Sequence, residues 1–232
     1  MKSFGILLAA GQSRRMGALG PKLWLSVAGR PAVAWSLWHF ALNGQFDEGV
    51  VVARPEDTHR IQQWLKTYGL SQWFIVVGAQ ERYLSVQNGL EALRNRAQDS
   101  DVVLIHDAAR IMVPLGVIDR VRQAAAAKGA ALPGLPVTDT VKGVSETRDF
   151  TAVRETLSRN ALRLAQTPQG FHYQVIREAH LAWTQGVPTD DAEVVENLGR
   201  QVVVVPGDSD NRKLTTPDDL QWFEWRLGQR HD

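Results

Sequence analysis

An apolar run, Gly5-Ile6-Leu7-Leu8-Ala9-Ala10, opens into the small loop Gly11-Gln12-Ser13-Arg14-Arg15-Met16-Gly17, and Lys22 follows directly behind Pro21. These residue types suit a triphosphate. Ala9, Ala10 and Gly11 put no bulk between backbone N–H groups and an anion, while Arg15 and Lys22 supply positive charge where phosphate oxygens gain negative charge. No Gly-Lys-Ser/Thr closes the loop as in a P-loop, and the second and third glycines of a dinucleotide fingerprint are missing. Taken alone, the stretch also reads as a tight strand-to-helix connection with two solvated arginines.

Further stretches carry candidate chemistry. Ile105-His106-Asp107-Ala108-Ala109-Arg110 ends another apolar run. In an open parallel sheet the ligand crevice lies beyond the carboxyl ends of the strands, so Asp107 and the first loop face the same space. A carboxylate beside a polyphosphate suits Mg2+, which takes a few carboxylate oxygens along with phosphate and water. His106 and Arg110 can order that carboxylate; the plain alternative is an Asp capping the next turn. Asp210-Asn211-Arg212-Lys213 offers Asp210 as a second carboxylate near the metal and Lys213 over the phosphates, or else is an ordinary polar loop. Gly78-Ala79-Gln80-Glu81-Arg82-Tyr83-Leu84-Ser85 is a small-residue turn into a helix. Backbone groups from Gly78 to Gln80 and the Ser85 hydroxyl can read the edge of a base, or the stretch is simply a helix start. Thr189-Asp190-Asp191-Ala192 reads as an N-cap with acids in the first turn, favourable to the helix dipole without any functional role.

The elements that must position these residues alternate along the chain. Apolar runs at 4–10, 49–53, 73–77, 102–106, 129–137 and 201–205 are separated by helical patterns at 31–42, 58–68, 85–96, 117–127, 173–185 and 217–227. That rhythm predicts an α/β fold with a mostly parallel sheet covered by helices on both faces. The last helix is the clearest, with Thr216 as N-cap, Pro217 at the first helical position and Asp219 at the capping-box spacing. Residues 138–160 break the rhythm: they are polar, carry Lys142, Arg148, Arg154 and Arg159, and show no helical stripe. They read as an extended β-arm leaving the main sheet, too small to be stable alone and so expected to pack on a second copy of the chain. A surface loop is the plain alternative.

Composition narrows the class. With 232 residues and 44% hydrophobic content the chain can bury a sizeable core as a single domain, 1–232, with 138–160 protruding from it. Zero cysteines exclude disulfides and thiolate zinc sites, and the run after Lys2 reads as a strand rather than a signal peptide, so a cytoplasmic enzyme is expected. Twenty-six Lys and Arg against 25 Asp and Glu give no bulk charge for nucleic acid or an anionic membrane, and no apolar run approaches spanning length.

Together these stretches resemble the 2-C-methyl-D-erythritol 4-phosphate cytidylyltransferases of the non-mevalonate isoprenoid pathway. The resemblance runs through Ala9-Ala10-Gly11 with Arg15-Met16-Gly17 and Pro21-Lys22, then Gly78 with Arg82 and Ser85, and His106 to Arg110. It continues through Pro136-Val137 with Asp139-Thr140 and Lys142, Ser158-Arg159-Asn160, Thr167-Pro168-Gln169, Thr189-Asp190, and the stretch from Asp210 to Leu220. The first block is shared by many nucleotidyltransferases; the later ones are more restrictive.

The resemblance implies a Rossmann-like nucleotidyltransferase fold and a Mg2+-dependent reaction in which CTP and methylerythritol phosphate give the CDP-alcohol and pyrophosphate. It implies catalytic roles for Arg15, Lys22 and Lys213, with Asp107 on the metal. Leu8, Ala9, Ala10, Gly11, Gly78, Ala79, Gln80, Ser85 and Ala108 would surround the CTP. Thr140 and Arg159, on the arm of the other subunit of a homodimer, would place the acceptor with Lys213 and Thr167. Leu23-Trp24, Ile111 and Arg212 depart from the family's pattern, and none removes a charge assigned to the chemistry. A cytidylyltransferase for another polyol phosphate, such as ribitol 5-phosphate, and a non-catalytic nucleotide-binding regulatory module are the alternatives.

Overall fold

The computed structural model of the chain describes residues 1–11 and 20–229. Strand β1 (Ser3–Ala9) runs through the middle of the main sheet and is followed by a 3-10 turn (Lys22–Trp24), the short antiparallel pair β2 (Ser26–Val27) and β3 (Arg30–Pro31), and helix α1 (Ala32–Ser36), which widens into a π turn (Leu37–Leu42). Next come β4 (Glu48–Ala53), a 3-10 turn (Pro55–Asp57) with α2 (Thr58–Thr67), β5 (Trp73–Val77), α3 (Arg82–Ala92), β6 (Val102–Asp107), α4 (Leu115–Lys128) and β7 (Ala130–Pro136). The remainder comprises β8 (Val141–Glu146), β9 (Thr151–Leu157), β10 (Arg163–Ala165), β11 (Gln169–His172), α5 (Tyr173–Ala182), α6 (Asp191–Asn197), β12 (Val203–Pro206) and α7 (Pro217–Gly228).

Strands β5, β4, β1 and β6 lie side by side in parallel, and β12 is parallel to β7. Successive side chains of a strand point to opposite faces, so an unbroken apolar run fills two cores at once. In β1, Leu7 and Ala9 join Leu37, Phe40, Ile61 and Val121 on one face, while Phe4 and Ile6 join Val86, Leu90, Ile176 and Val194 on the other. A third, smaller core under α7 gathers Val27, Trp35, Leu214 and Phe223.

The exception to the parallel order is the stretch β10–β11, which the sequence reading does not resolve as strand. Ala131 of β7 pairs with Gly170 and with Val203, and Gly134 pairs with Ala165 and with Pro206. Strands β10 and β11 therefore lie end to end along the same edge of β7, antiparallel to it, with Gln166, Thr167 and Pro168 looping out between them. The expected helix over 31–42 is α-helical only to Ser36; the wider turn beyond it buries Leu37, Phe40 and Ala41. The helix expected from residue 85 begins three residues earlier, at Arg82, directly behind the loop after β5. Strands β8 and β9 form a separate antiparallel ribbon within 138–160. It exposes Val144, Phe150 and Val153.

Candidate active site

Leu8 and Asp107 are register partners where β1 and β6 end, and the Ala108 N–H extends the ladder to the Leu8 carbonyl at 3.0 Å. The two strand ends are thus level, and a pocket opens beyond them. Its lining includes Leu8, Ala10, Gly11 and Lys22 from the first loop, Ala79, Gln80, Arg82 and Ser85 from the turn into α3, Asp107 and Ala109 behind β6, and Lys213. Backbone crowds close here: a Cβ on Gly78 would fall 2.4 Å from the Ala10 Cβ, so only glycine lets the two loops approach. The Ser85 hydroxyl receives the Ala79 N–H at 3.0 Å and so sets the shape of that turn.

Most of the expected nucleotide contacts meet at this pocket, but three lie behind its wall. The Ala9 side chain is buried in the core, the Gly78 N–H donates to the Ala53 carbonyl at 2.8 Å, and Ala108 is fully buried. Arg15 lies outside the described residues. Thr140 and Arg159 sit exposed on the 138–160 segment, where Arg159 donates to the Thr138 carbonyl, and neither lines the pocket of its own chain.

Charge is organised around Asp107. Arg82 Nε donates to one of its carboxylate oxygens at 3.1 Å and Lys213 Nζ to the other at 2.6 Å. Burial pushes this carboxyl up, but Arg82 and Lys213 outweigh burial and hold it well below the usual carboxylate range. Arg82 also reaches the buried Asp191 through Nη2 at 2.8 Å. Burial alone would lower the guanidinium's pKa; Asp191 and Asp107 together raise it above its ordinary value.

A second hollow adjoins the pocket and shares Arg82, Asp107 and Lys213 with it, adding Arg110, Thr167, Gln169 and Asp190. Thr167, expected near the acceptor, has its hydroxyl between the Asp107 N–H at 3.1 Å and His106 Nδ1 at 3.0 Å. His106 is fully buried, and desolvation pushes its pKa down to about 3. Its Nε2 lies 3.1 Å from the Arg110 carbonyl, which can only accept, so Nε2 carries the proton and Nδ1 accepts from Thr167. His106 is therefore a neutral structural imidazole that orders the end of β6.

Asp210, expected as a second carboxylate near the metal, lies outside the lining of the pocket. Both of its oxygens receive hydrogen bonds from Arg226 of α7, at 3.1 and 2.7 Å. Asp210 anchors the loop that carries Lys213. Sequence reasoning missed the role of Asp191: Asp190 caps α6 by accepting the Glu193 N–H at 2.9 Å, whereas its buried neighbour holds Arg82 from behind the site. Two adjacent acids at a helix start give no sign of which is the cap.

A family-wide sequence model described as IspD, 2-C-methyl-D-erythritol 4-phosphate cytidylyltransferase, matches residues 4–229. A bifunctional enzyme IspD/IspF of Rhodopseudomonas palustris is 42% identical over 229 residues, covering 97% of this chain, and the chain spans 56% of that relative's length. The 2-C-methyl-D-erythritol 4-phosphate cytidylyltransferase of Geobacillus thermodenitrificans is 38% identical over 97% of this chain and 96% of its own length. Among solved structures, the 4-diphosphocytidyl-2C-methyl-D-erythritol synthase of Anaerococcus prevotii superposes with a TM-score of 0.83 at 28% identity, covering 98% of this chain and 96% of that one. With its Lys22, Arg82, Asp107 and Lys213 gathered at one rim of the sheet, the chain belongs to the 2-C-methyl-D-erythritol 4-phosphate cytidylyltransferase family.

Proposed function

We propose that the protein transfers the cytidylyl group of CTP to 2-C-methyl-D-erythritol 4-phosphate, releasing pyrophosphate and giving 4-diphosphocytidyl-2-C-methyl-D-erythritol. The observation that carries this reading is the pairing of Lys213 and Arg82 with one carboxylate in a pocket that Lys22 also lines, beside the bare backbone of Ala10, Gly11 and Ala79. A phosphoryl-type transfer needs positioning and charge stabilisation rather than a protein nucleophile. The acceptor's phosphate oxygen is ionised at neutral pH and attacks the α-phosphorus in line; the bond to the β-phosphate breaks and pyrophosphate leaves with the electron pair. No general base is required, which accords with a neutral, fully engaged His106.

In this assignment Leu8, Ala10, Gly11, Ala79, Gln80 and Ser85 receive the nucleoside and its phosphates, while Lys22, together with Arg15, offsets the charge that builds on the triphosphate. Lys213, shared by both hollows, lies where donor and acceptor phosphates would meet. Among the described residues no cluster of three or more His, Cys, Asp or Glu could cage a metal. Asp107, which lines both hollows and keeps a second lone pair on each oxygen beyond those met by Arg82 and Lys213, would hold a Mg2+ that arrives on the triphosphate and keeps its waters. The ion would neutralise charge on the phosphate oxygens.

We further assign the 138–160 ribbon to a homodimer in which Thr140 and Arg159 complete the partner's acceptor site. A lone two-stranded ribbon is marginal in water, and this one leaves Val144, Phe150 and Val153 exposed. No helix among the described residues is long and apolar enough to cross a membrane. As a separate proposal, on the strand-like reading of the run after Lys2, we place the reaction in the cytoplasm. The test incubates purified protein with CTP, Mg2+ and either methylerythritol phosphate or ribitol 5-phosphate and follows pyrophosphate release. Turnover with methylerythritol phosphate is expected; turnover with ribitol phosphate alone would transfer the assignment to that acceptor, and none with either would leave a nucleotide-binding module.

A further inference from the structure

Lys22 reaches the pocket from a single 3-10 turn, Lys22–Trp24, which among the described residues is closed by two backbone hydrogen bonds, Trp24 N–H to the Pro21 carbonyl and Leu25 N–H to the Lys22 carbonyl. Such a turn has poor hydrogen-bond geometry and little rigidity of its own. Trp24 ties it to the start of α2. The indole N–H donates to Asp57 Oδ1 at 2.6 Å, and the Arg60 guanidinium lies 3.6 Å over the indole ring. Asp57 is 5% exposed, and Arg54 closes on its other oxygen through Nε at 2.8 Å and Nη2 at 2.7 Å.

The place of Asp57 makes this arrangement informative. It stands immediately before α2, where an aspartate ordinarily accepts the first free amides of the helix, yet its side chain makes no capping hydrogen bond. Both oxygens are turned instead to Trp24 and Arg54. A buried carboxylate is costly unless charged or polar groups satisfy it, and here one of the satisfying groups belongs to the turn that bears Lys22.

We propose that Asp57, acting through the indole of Trp24, is a positioning residue that aims Lys22 at the triphosphate. The inference rests on the role given to Lys22 above. Substitution Trp24→Phe keeps an aromatic ring for Arg60 and removes the N–H donor together with part of the indole's bulk. It should lower kcat about tenfold while moving KM for CTP less than about twofold, because a displaced Lys22 loses stabilisation realised in the transition state. Asp57→Ala should act in the same direction, and Asp57→Asn, which keeps an oxygen for the indole, should recover most of kcat.

The deciding measurement is Trp24→Phe in a Lys22→Ala background, where it should cost nothing further. A second tenfold loss there, a neutral Trp24→Phe on its own, or an Asp57→Asn no better than Asp57→Ala would each overturn the positioning role and leave that of Lys22 standing. Wild-type turnover by Lys22→Ala would overturn the Lys22 assignment itself.

Discussion

The hydroxyl of Thr167 accepts the backbone N–H of Asp107 at 3.1 Å, joining residues 60 apart in sequence. It can do so because β10 and β11 leave the edge of β7 between them, and the residues looped out there turn toward the end of β6. The same hydroxyl donates to His106, so a single oxygen fixes both the imidazole and the amide that sets the direction of the Asp107 side chain.

Thr167→Val keeps the shape of this side chain and removes its hydrogen bonding, leaving the Asp107 N–H and His106 Nδ1 unpaired in a buried setting. The expected loss is about 1–3 kcal/mol of unfolding free energy, read from urea denaturation. Thr167→Ser keeps the hydroxyl and should retain most of the stability.

Lys22 has a half-exposed stem and lines the nucleotide pocket, so Lys22→Ala should leave the fold intact. Removing one donor aimed at developing charge lowers turnover by a factor of about a hundred or more. Pyrophosphate release measured alongside a thermal melt checks both halves of this expectation.

Asp107→Asn is nearly isosteric, but it withdraws the anion between Arg82 and Lys213 and the carboxylate proposed to hold a metal. Turnover should fall by about a hundredfold or more, the scale of losing a principal electrostatic group at the reacting phosphates. Wild-type protein treated with a chelator should fall silent and recover on addition of Mg2+. Unchanged turnover in the chelator would remove the metal from the mechanism.

The local features of this chain are legible in its sequence, and the non-local ones are not. The unbroken apolar run of β1 fills two cores because alternate residues face opposite ways, and the Thr216/Asp219 capping box forms from residues three apart. Strand β10, by contrast, is three residues long and exists only because β7 offers an edge. Arg82 and Asp191 meet across 109 residues, and nothing near either predicts the pairing. The pairing of Asp210 with Arg226 of α7 is likewise made only by the fold.

Asp219 lends itself to a pH test because, from the first turn of α7, it closes the loop that leads in from Lys213. Its carboxylate accepts the backbone N–H groups of Thr215 at 2.9 Å and Thr216 at 2.8 Å and pairs with Arg212 at 2.8 Å. Burial pushes its pKa up, but the amide hydrogen bonds of Thr216 and Thr215 outweigh burial and leave it below the ordinary value. A carboxyl depressed in the folded state stabilises fully above its unfolded pKa and loses that contribution as pH falls through the folded one. Asp219→Asn should therefore cost about 1 kcal/mol at pH 7. The melting curves of wild type and variant should converge below the ordinary carboxylate range.

Arg159 distinguishes an arm that serves its own subunit from one that serves its partner. In the wild-type chain it is exposed, donates to the Thr138 carbonyl and does not line the pocket among the described residues, so Arg159→Ala should leave CTP binding unchanged and raise KM for the acceptor. If two chains share each site, a Lys22→Ala subunit paired with an Arg159→Ala subunit contains one site with both defects and one with neither. Equal mixing of the two proteins, unfolded and refolded together and assayed at an acceptor concentration far below the raised KM, would then recover about a quarter of wild-type activity, since half the dimers are mixed and half their sites intact. Sites built within single chains would recover none, whatever the mixing ratio.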